Sequence, residues 1–324
     1  MQYRRFGKTN WQVSDIGYGM WGMGGWTGSD DEESLASLQR SVDLGCNFFD
    51  TAYVYGTGRS EDLLGQLIRA NPDKKLFTAT KVPPKNMQYP TLPEYTLDEC
   101  YPPAHIEEFL HKSLKNAGLE SFDLLQLHTW NDDWTHYDGW SDMLDSLKGQ
   151  GLINACGISI NRWEPWNGVH AVRSGKIDSV QVVYNIFDQN PEDELFPACE
   201  EMEVAVIARV PFDEGSLTGT MTRGTTFPEG DFRNVYFASD KLDPIIDRVE
   251  ALRPLVPDDS TMPEMTLRFI LSHPAVSTII PGMRKANHVE SNIAASDLGQ
   301  LPVELLDQLR YHRWVRKPAP NSEL

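Results

Sequence analysis

The sequence predicts a single α/β domain built as a (β/α)8 TIM barrel over its 324 residues. Short apolar runs rich in β-branched or aromatic residues recur eight times, and most are separated by stretches whose apolar residues repeat at helical spacing. Strands that are apolar on both faces and alternate with helices form parallel βαβ units; eight such units in about 300 residues suit a closed barrel. No composition shift or Pro/Gly/Ser-rich linker divides the chain, so residues 1–324 read as one domain.

Taken in order, QYRRFGKTNWQ reads as a short hairpin around GKTN that caps the N-terminal end of the barrel. The strands follow in VSDIGYG, CNFFDTA, KLFTATK, FDLLQLH, INACGIS, SVQVVYN, VAVIARV and VSTIIPG. Leu35, Leu38 and Val42 mark a first helix closed by Gly45, and Ile106, Phe109, Leu110 and Leu114 mark another before Gly118. Helical patterns also fit 60–70, 139–149, 163–174, 191–202, 262–272 and 285–295, and PVELLDQLRYHRW reads as an extra C-terminal helix. The connections 82–103, 129–138 and 211–240 are long, and long loops in a compact domain tend to carry function.

With 47 acidic and 29 basic side chains the net charge is −18, which argues against nucleic acid and anionic membrane surfaces as partners. An anionic ligand would need a local positive site. No run approaches the roughly 20 apolar residues of a membrane span, and no signal-peptide pattern opens the chain, so a cytoplasmic protein is expected. Cys46, Cys100, Cys156 and Cys199 are widely spaced with no C-x-x-C pair, which suits reduced, buried thiols. The histidines are scattered, with no H-x-H or H-E-x-x-H, so no metal site is expected.

GYGMWG, residues 17–22, fits the G-x-G-x-x-G of a dinucleotide-binding loop and follows a strand. That loop requires a helix to open inside the motif, whereas here MGGWTGSDD follows and no helical period begins until about residue 31. The glycines are expected instead to floor a site at the first strand's end, with Trp21 and Trp26 as walls.

Reactive groups in a parallel barrel gather at the C-terminal strand ends. Asp50 closes the second strand, Tyr55 lies in the loop after it, Lys81 closes the third and His128 the fourth. Each has a bland reading alone: strand cap, loop aromatic, ion-pair partner, core histidine. Together they make a proton-delivery site. An ammonium beside Tyr55 would lower its pKa towards a usable range, and Asp50 would hold Lys81 charged. A neutral His128 would donate a hydrogen bond to the same substrate oxygen. This chemistry fits carbonyl reduction by a hydride, which a cofactor must supply.

FFDTAYVYGTGRSEDLLG, with Lys81 in ATK and His128 in LQLH, resembles the aldo-keto reductases over about residues 2–313. The resemblance implies a metal-free barrel that binds NADP(H), with NAD(H) the less frequent choice. It makes Tyr55 the general acid/base. Ser159 and Gln181 would hold the nicotinamide carboxamide, and Arg209 would stand where many members stack a tyrosine on the nicotinamide, next to Pro211. Ser216, Leu217 and Gly219 would offer backbone N–H groups to the pyrophosphate. Gly282 and Met283 would lie along the ribose, Arg284 would pair with the 2′-phosphate, and His288 and Asn292 would stand at the adenosine end. Where many members have consecutive Ser-Asn, Ile160 here separates Ser159 from Asn161, which is therefore left out of the site.

A pocket lined by Trp21, Trp26, Tyr53 and Trp130, with Asp132 and Asp133 nearby, suggests a small aldehyde, ketone or sugar as substrate, with an alcohol as the product or reverse substrate. The competing expectation is a nicotinamide-binding regulatory subunit on the same barrel, as in the potassium-channel β subunits of that family.

Overall fold

The computed structural model describes residues 1–25, 28–161, 164–238 and 241–316. An antiparallel hairpin of β1 (Tyr3–Phe6) and β2 (Trp11–Ser14) precedes eight parallel strands. These are β3 (Tyr18–Gly19), β4 (Phe48–Asp50), β5 (Phe77–Val82), β6 (Phe122–Leu127), β7 (Ile153–Ser159), β8 (Ser179–Val183), β9 (Ala205–Arg209) and β10 (Val276–Ile279). They pair in chain order, and parallel bridges from Ile16 to Ile279 and Gly19 to Gly282 bring the two edges together into a nearly closed barrel.

The glycines of GYGMWG serve that closure. A side chain at Gly19 would place its Cβ 2.5 Å from the Ile280 carbonyl oxygen, so only glycine lets β3 meet the chain after β10. A short 3-10 turn, Trp21–Met23, follows, and the next helix, Asp31–Asp43, begins beyond it, so no phosphate loop forms here. The first expected strand is the shortest because VSDIGYG is divided, its start joining the hairpin and its end the barrel.

Inside the barrel Phe48, Phe77, Ala79, Leu124, Ala155, Ala205, Ile207 and Ile280 form one apolar cluster, and the hairpin inserts Phe6 and Val13 into it. Trp11 stacks on Phe77 at 5.1 Å, which seals the N-terminal end as expected. A second cluster lies between strands and outer helices. Some helices begin at side-chain caps: Asp30 accepts from the Glu33 amide, and Thr261 with Glu264 closes a reciprocal box at Met262–Leu271. Among the described residues of the 163–174 pattern only Val169–Arg173 is helical, since Pro165 disfavours helical backbone at Glu164 and Gly168 starts the helix late. The extra helix is Val303–Arg310, and all four cysteines are buried free thiols. Among the described residues no helix is long and apolar enough to cross a membrane.

Candidate active site

β4, β5 and β6 end side by side, so the residues at their C-terminal ends share one wall of the barrel mouth. Asp50 is the last residue of β4, Lys81 lies one before the end of β5, and His128 follows β6 directly. Tyr55 sits in a turn whose reversals at Gly56 (φ 71°) and Gly58 (φ 97°) carry the chain from β4 into the helix Arg59–Ala70. Its backbone is fixed at both ends: Tyr55 N–H donates to Ala52 O at 3.0 Å, and Ser60 N–H donates to Tyr55 O at 3.1 Å.

Lys81 is wholly buried and uses all three ammonium donors, to Asp50 Oδ1, to the Thr51 carbonyl at 2.7 Å and to the Tyr55 oxygen at 3.4 Å. Burial by itself would favour the neutral amine. Asp50 and Tyr55 together outweigh that and raise the lysine above its ordinary value, so it stays charged. The other Asp50 oxygen, Oδ2, accepts from Gln126 Nε2 at 3.0 Å and Gln181 Nε2 at 2.9 Å. The imidazole of His128 lies edge-on to the Tyr55 ring, centroids 5.8 Å apart. Burial first, then the charges of Lys81 and Arg209, push His128 well below its ordinary range, so it is neutral.

One expectation reverses here. The Tyr55 phenol is raised, not lowered, because burial outweighs the ammonium beside it and Asp50 adds to the rise. Lys81 acts in the expected direction but loses to desolvation, and the resting phenol keeps its proton.

The residues expected to hold a cofactor lie at the ends of β7 to β10 and on the segments after them. Ser159 and Gln181 are direct cross-strand partners. The Gln181 amide is engaged with Asp50 and, at 3.2 Å, with Gln126 Oε1. Arg209 ends β9 and donates from Nη2 to the Ile160 carbonyl at 3.1 Å, with buried Pro211 two residues on. The expectation for Leu217 and Gly219 is corrected: their N–H groups already donate to Phe212 O at 3.0 Å and Ser216 O at 3.1 Å. The tight turn that forms this loop consumes them. The Ser216 hydroxyl likewise donates to Asp213 Oδ2 at 2.6 Å.

Met283 is also corrected. It is fully buried, and its carbonyl accepts from the Tyr18 hydroxyl at 2.6 Å, so it belongs to the core between barrel and first helix. Gly282 next to it is exposed, with open space where a Cβ would project. Arg284 lays its aliphatic stem across Gly22, and its Nη1 is buried with no hydrogen-bond partner among the described residues. Such a nitrogen asks for an anion, and with the open strip at Gly282 it fits a phosphate-bearing nucleotide. His288 is exposed on the helix Ala286–Ala294; burial, Lys285 and Arg284 lower it, so it adds no charge, and Asn292 is buried on the same helix.

Of the expected substrate walls, Trp26 lies outside the described residues. Trp130 is corrected: it is fully buried, in edge contact with Trp134 and Trp140, and its indole N–H donates to Asp132 Oδ1 at 3.1 Å. Asp132 is no sugar ligand either, since it accepts the His170 and Ala171 amides at 2.7 and 2.9 Å and so caps the start of Val169–Arg173. Tyr53 meets Phe109 of the outer helix edge-on at 4.7 Å. Trp21 remains exposed, in edge contact with Phe232 of the 211–240 segment.

Sequence reading missed Tyr89, whose ring flanks His128 at 5.3 Å, and Gln126. Tyr89 carried no local signal, because its loop has no period. Gln126 did: an amide amid the apolar LLQL of a buried strand must find a polar partner.

The profile of the Aldo/keto reductase family matches residues 15–313. The chain is 29% identical over 312 residues to the uncharacterized oxidoreductase YqkF of Bacillus subtilis, covering 96% of each chain. It is 27% identical to an NADH-specific methylglyoxal reductase of Escherichia coli, covering 90% of this chain and 92% of that one. A glycerol dehydrogenase structure from Gluconobacter oxydans superposes with a TM-score of 0.79 at 24% identity, over 99% and 98% of the two chains.

Proposed function

The chain belongs to the aldo/keto reductase family, whose chemistry is carbonyl oxidoreduction with a nicotinamide cofactor, and from that premise we propose that it reduces a small aldehyde, ketone or sugar carbonyl with Tyr55 as proton donor. The observation that carries this reading is Lys81, buried and charged, set between Asp50 and the Tyr55 oxygen at 3.4 Å.

A bound nicotinamide would supply the hydride. The protein's part is the proton and the charge. Because Lys81 donates to a lone pair of the Tyr55 oxygen, the phenolic proton is left for a substrate oxygen lying between Tyr55 and His128. Burial of an unpaired N–H is costly, and His128 Nδ1 is buried without a partner among the described residues, so the imidazole proton belongs on Nε2, as a donor to the same oxygen. As that oxygen gains charge, Tyr55 releases its proton and the ammonium stabilises the phenolate left behind. General acid catalysis of this kind contributes about 10²- to 10⁴-fold.

Ser159 and, on rotation of its amide, Gln181 would hold the carboxamide, with Arg209 against the ring. Arg284 supports NADP(H) over NAD(H) through a buried nitrogen that has no hydrogen-bond partner among the described residues. The net charge of −18 supports a small-molecule partner over nucleic acid or anionic membrane, and a cytoplasmic place is proposed with it.

The test is the fall of NADPH absorbance with 4-nitrobenzaldehyde, for wild type and Tyr55→Phe, repeated with NADH. Steady turnover that drops at least 100-fold in kcat in the variant, with cofactor affinity kept, is the expected result. Tight NADPH binding without wild-type turnover would turn the reading towards a regulatory nicotinamide-binding subunit.

A further inference from the structure

Gln126 is fully buried, and in the sheet it pairs directly with Lys81, so its side chain enters the barrel mouth beside the lysine. Its amide makes two contacts. Nε2 donates to Asp50 Oδ2 at 3.0 Å, and Oε1 accepts from Gln181 Nε2 at 3.2 Å. Gln181 donates from that same nitrogen to Asp50 Oδ2 at 2.9 Å. Asp50 is thus held on one oxygen by Lys81 and on the other by two amides.

The two amides are not equivalent under the function proposed above, on which this inference rests. Gln181 is also wanted for the carboxamide, and turning it there withdraws a hydrogen bond from Asp50. Gln126 has no other side-chain hydrogen-bond partner among the described residues and stays. A carboxylate held at Oδ1 alone would be free to swing about its Cβ–Cγ bond, and Lys81 would lose its aim at Tyr55.

We propose that Gln126 is a positioning residue of this site: it keeps Asp50 aligned on Lys81 while Gln181 is engaged with the cofactor. It touches neither substrate nor cofactor and acts through Asp50.

Three measurements on the full chain test this. In Gln126→Leu, NADPH affinity read by fluorescence titration should stay within about twofold, while kcat falls roughly 10-fold or more, the loss of about one hydrogen bond to a charged group. The alkaline limb of kcat should also move to higher pH, because an ammonium that has lost its aim at Tyr55 lowers the phenol less. In Gln126→Glu the deficit should shrink as pH falls, since a protonated carboxyl can again donate to Asp50, whereas an ionised one repels it. A folded Gln126→Leu protein with unchanged kcat and pH limb overturns the proposal, and so does a kcat loss matched by an equal loss of NADPH affinity.

The contact itself is read without turnover. Melting temperatures of wild type, Gln126→Leu, Asp50→Ala and the double variant form a cycle in cofactor-free protein, and the double deficit should be smaller than the sum of the singles. Strict additivity sinks the inference. An absence of wild-type turnover would sink the proposed function while leaving this cycle to be read by itself.

Discussion

Arg316 reaches back from the end of the described chain to Asp213, with Nη1 2.9 Å from Oδ1 and side-chain exposures of 7% and 0%. The same nitrogen donates to the Tyr236 hydroxyl at 2.6 Å, and that hydroxyl donates to Asp213 at 2.6 Å. The C-terminal segment therefore straps the 213–219 turn, whose Ser216 hydroxyl hangs on the other Asp213 oxygen. Removing one member of a buried pair costs about 3–5 kcal/mol. Arg316→Met should lower unfolding free energy by about that amount and weaken NADPH binding severalfold, with kcat at saturating cofactor kept. Chemical denaturation and a fluorescence titration check both.

Lys81 and Asp50 make a second buried pair, with side-chain exposures of 0% and 2%. Lys81→Met should cost about 3–5 kcal/mol because it strands a carboxylate, and turnover should be lost with it. Adding Asp50→Leu removes the stranded charge, so the double variant should be more stable than Lys81→Met while remaining inactive. A double variant less stable than either single would refute the pairing as the source of the cost.

The pH behaviour follows from two opposite shifts. Tyr55 is raised above its ordinary 10.0, so reduction should hold its rate up to that pH and fall beyond it as the proton donor is lost. His128 is depressed below its ordinary 6.5, so it gives no acid limb to kcat near neutrality. For stability the sign is fixed by proton uptake. Below pH 6.5 the unfolded chain protonates His128 and the folded one does not, so stability falls as pH falls. His128→Asn should flatten that acid slope by the contribution of one histidine, measured by denaturation at several pH values.

Arg284→Ala tests the phosphate assignment. Charge-assisted hydrogen bonds contribute about 1.5–3 kcal/mol, so NADPH affinity should fall roughly 10- to 100-fold while NADH affinity stays near its wild-type value. Equal losses for both would move Arg284 off the 2′-phosphate.

Gly65 lies mid-helix in Arg59–Ala70, where alanine ordinarily gains about 1 kcal/mol in propensity. Here the added Cβ would stand 1.8 Å from the Ala117 carbonyl oxygen of the neighbouring helix. Gly65→Ala should therefore destabilise, by about 1–3 kcal/mol as overpacked contacts do, with activity spared.

The barrel was legible because its signal is local and repeated. The parallel strands are buried and rich in apolar residues, as Phe77, Ala79 and Val82 show in FTATKV, and the longer helices show an apolar stripe. The positions of Asp50, Lys81 and His128 were legible for the same reason: a place at a strand end is read from the strand. Trp130 was misread because an aromatic after a strand end looks the same whether it lines a mouth or fills the space against Trp134 and Trp140. Leu217 and Gly219 were misread because a turn's N–H groups are spoken for only once its geometry exists.

What the sequence by itself determined is the order of elements, the barrel they close, the strand ends at Asp50, Lys81 and His128 and the turn that carries Tyr55, since hydrophobic period and turn chemistry act over a few residues. The tertiary structure alone decided the partners: Gln126 and Gln181 on one oxygen of Asp50, 76 and 131 residues away in the chain, and Arg316 on Asp213. It also decided that burial outweighs Lys81 at Tyr55. Desolvation and hydrogen-bond pairing depend on what surrounds a group in space, and no local pattern encodes that.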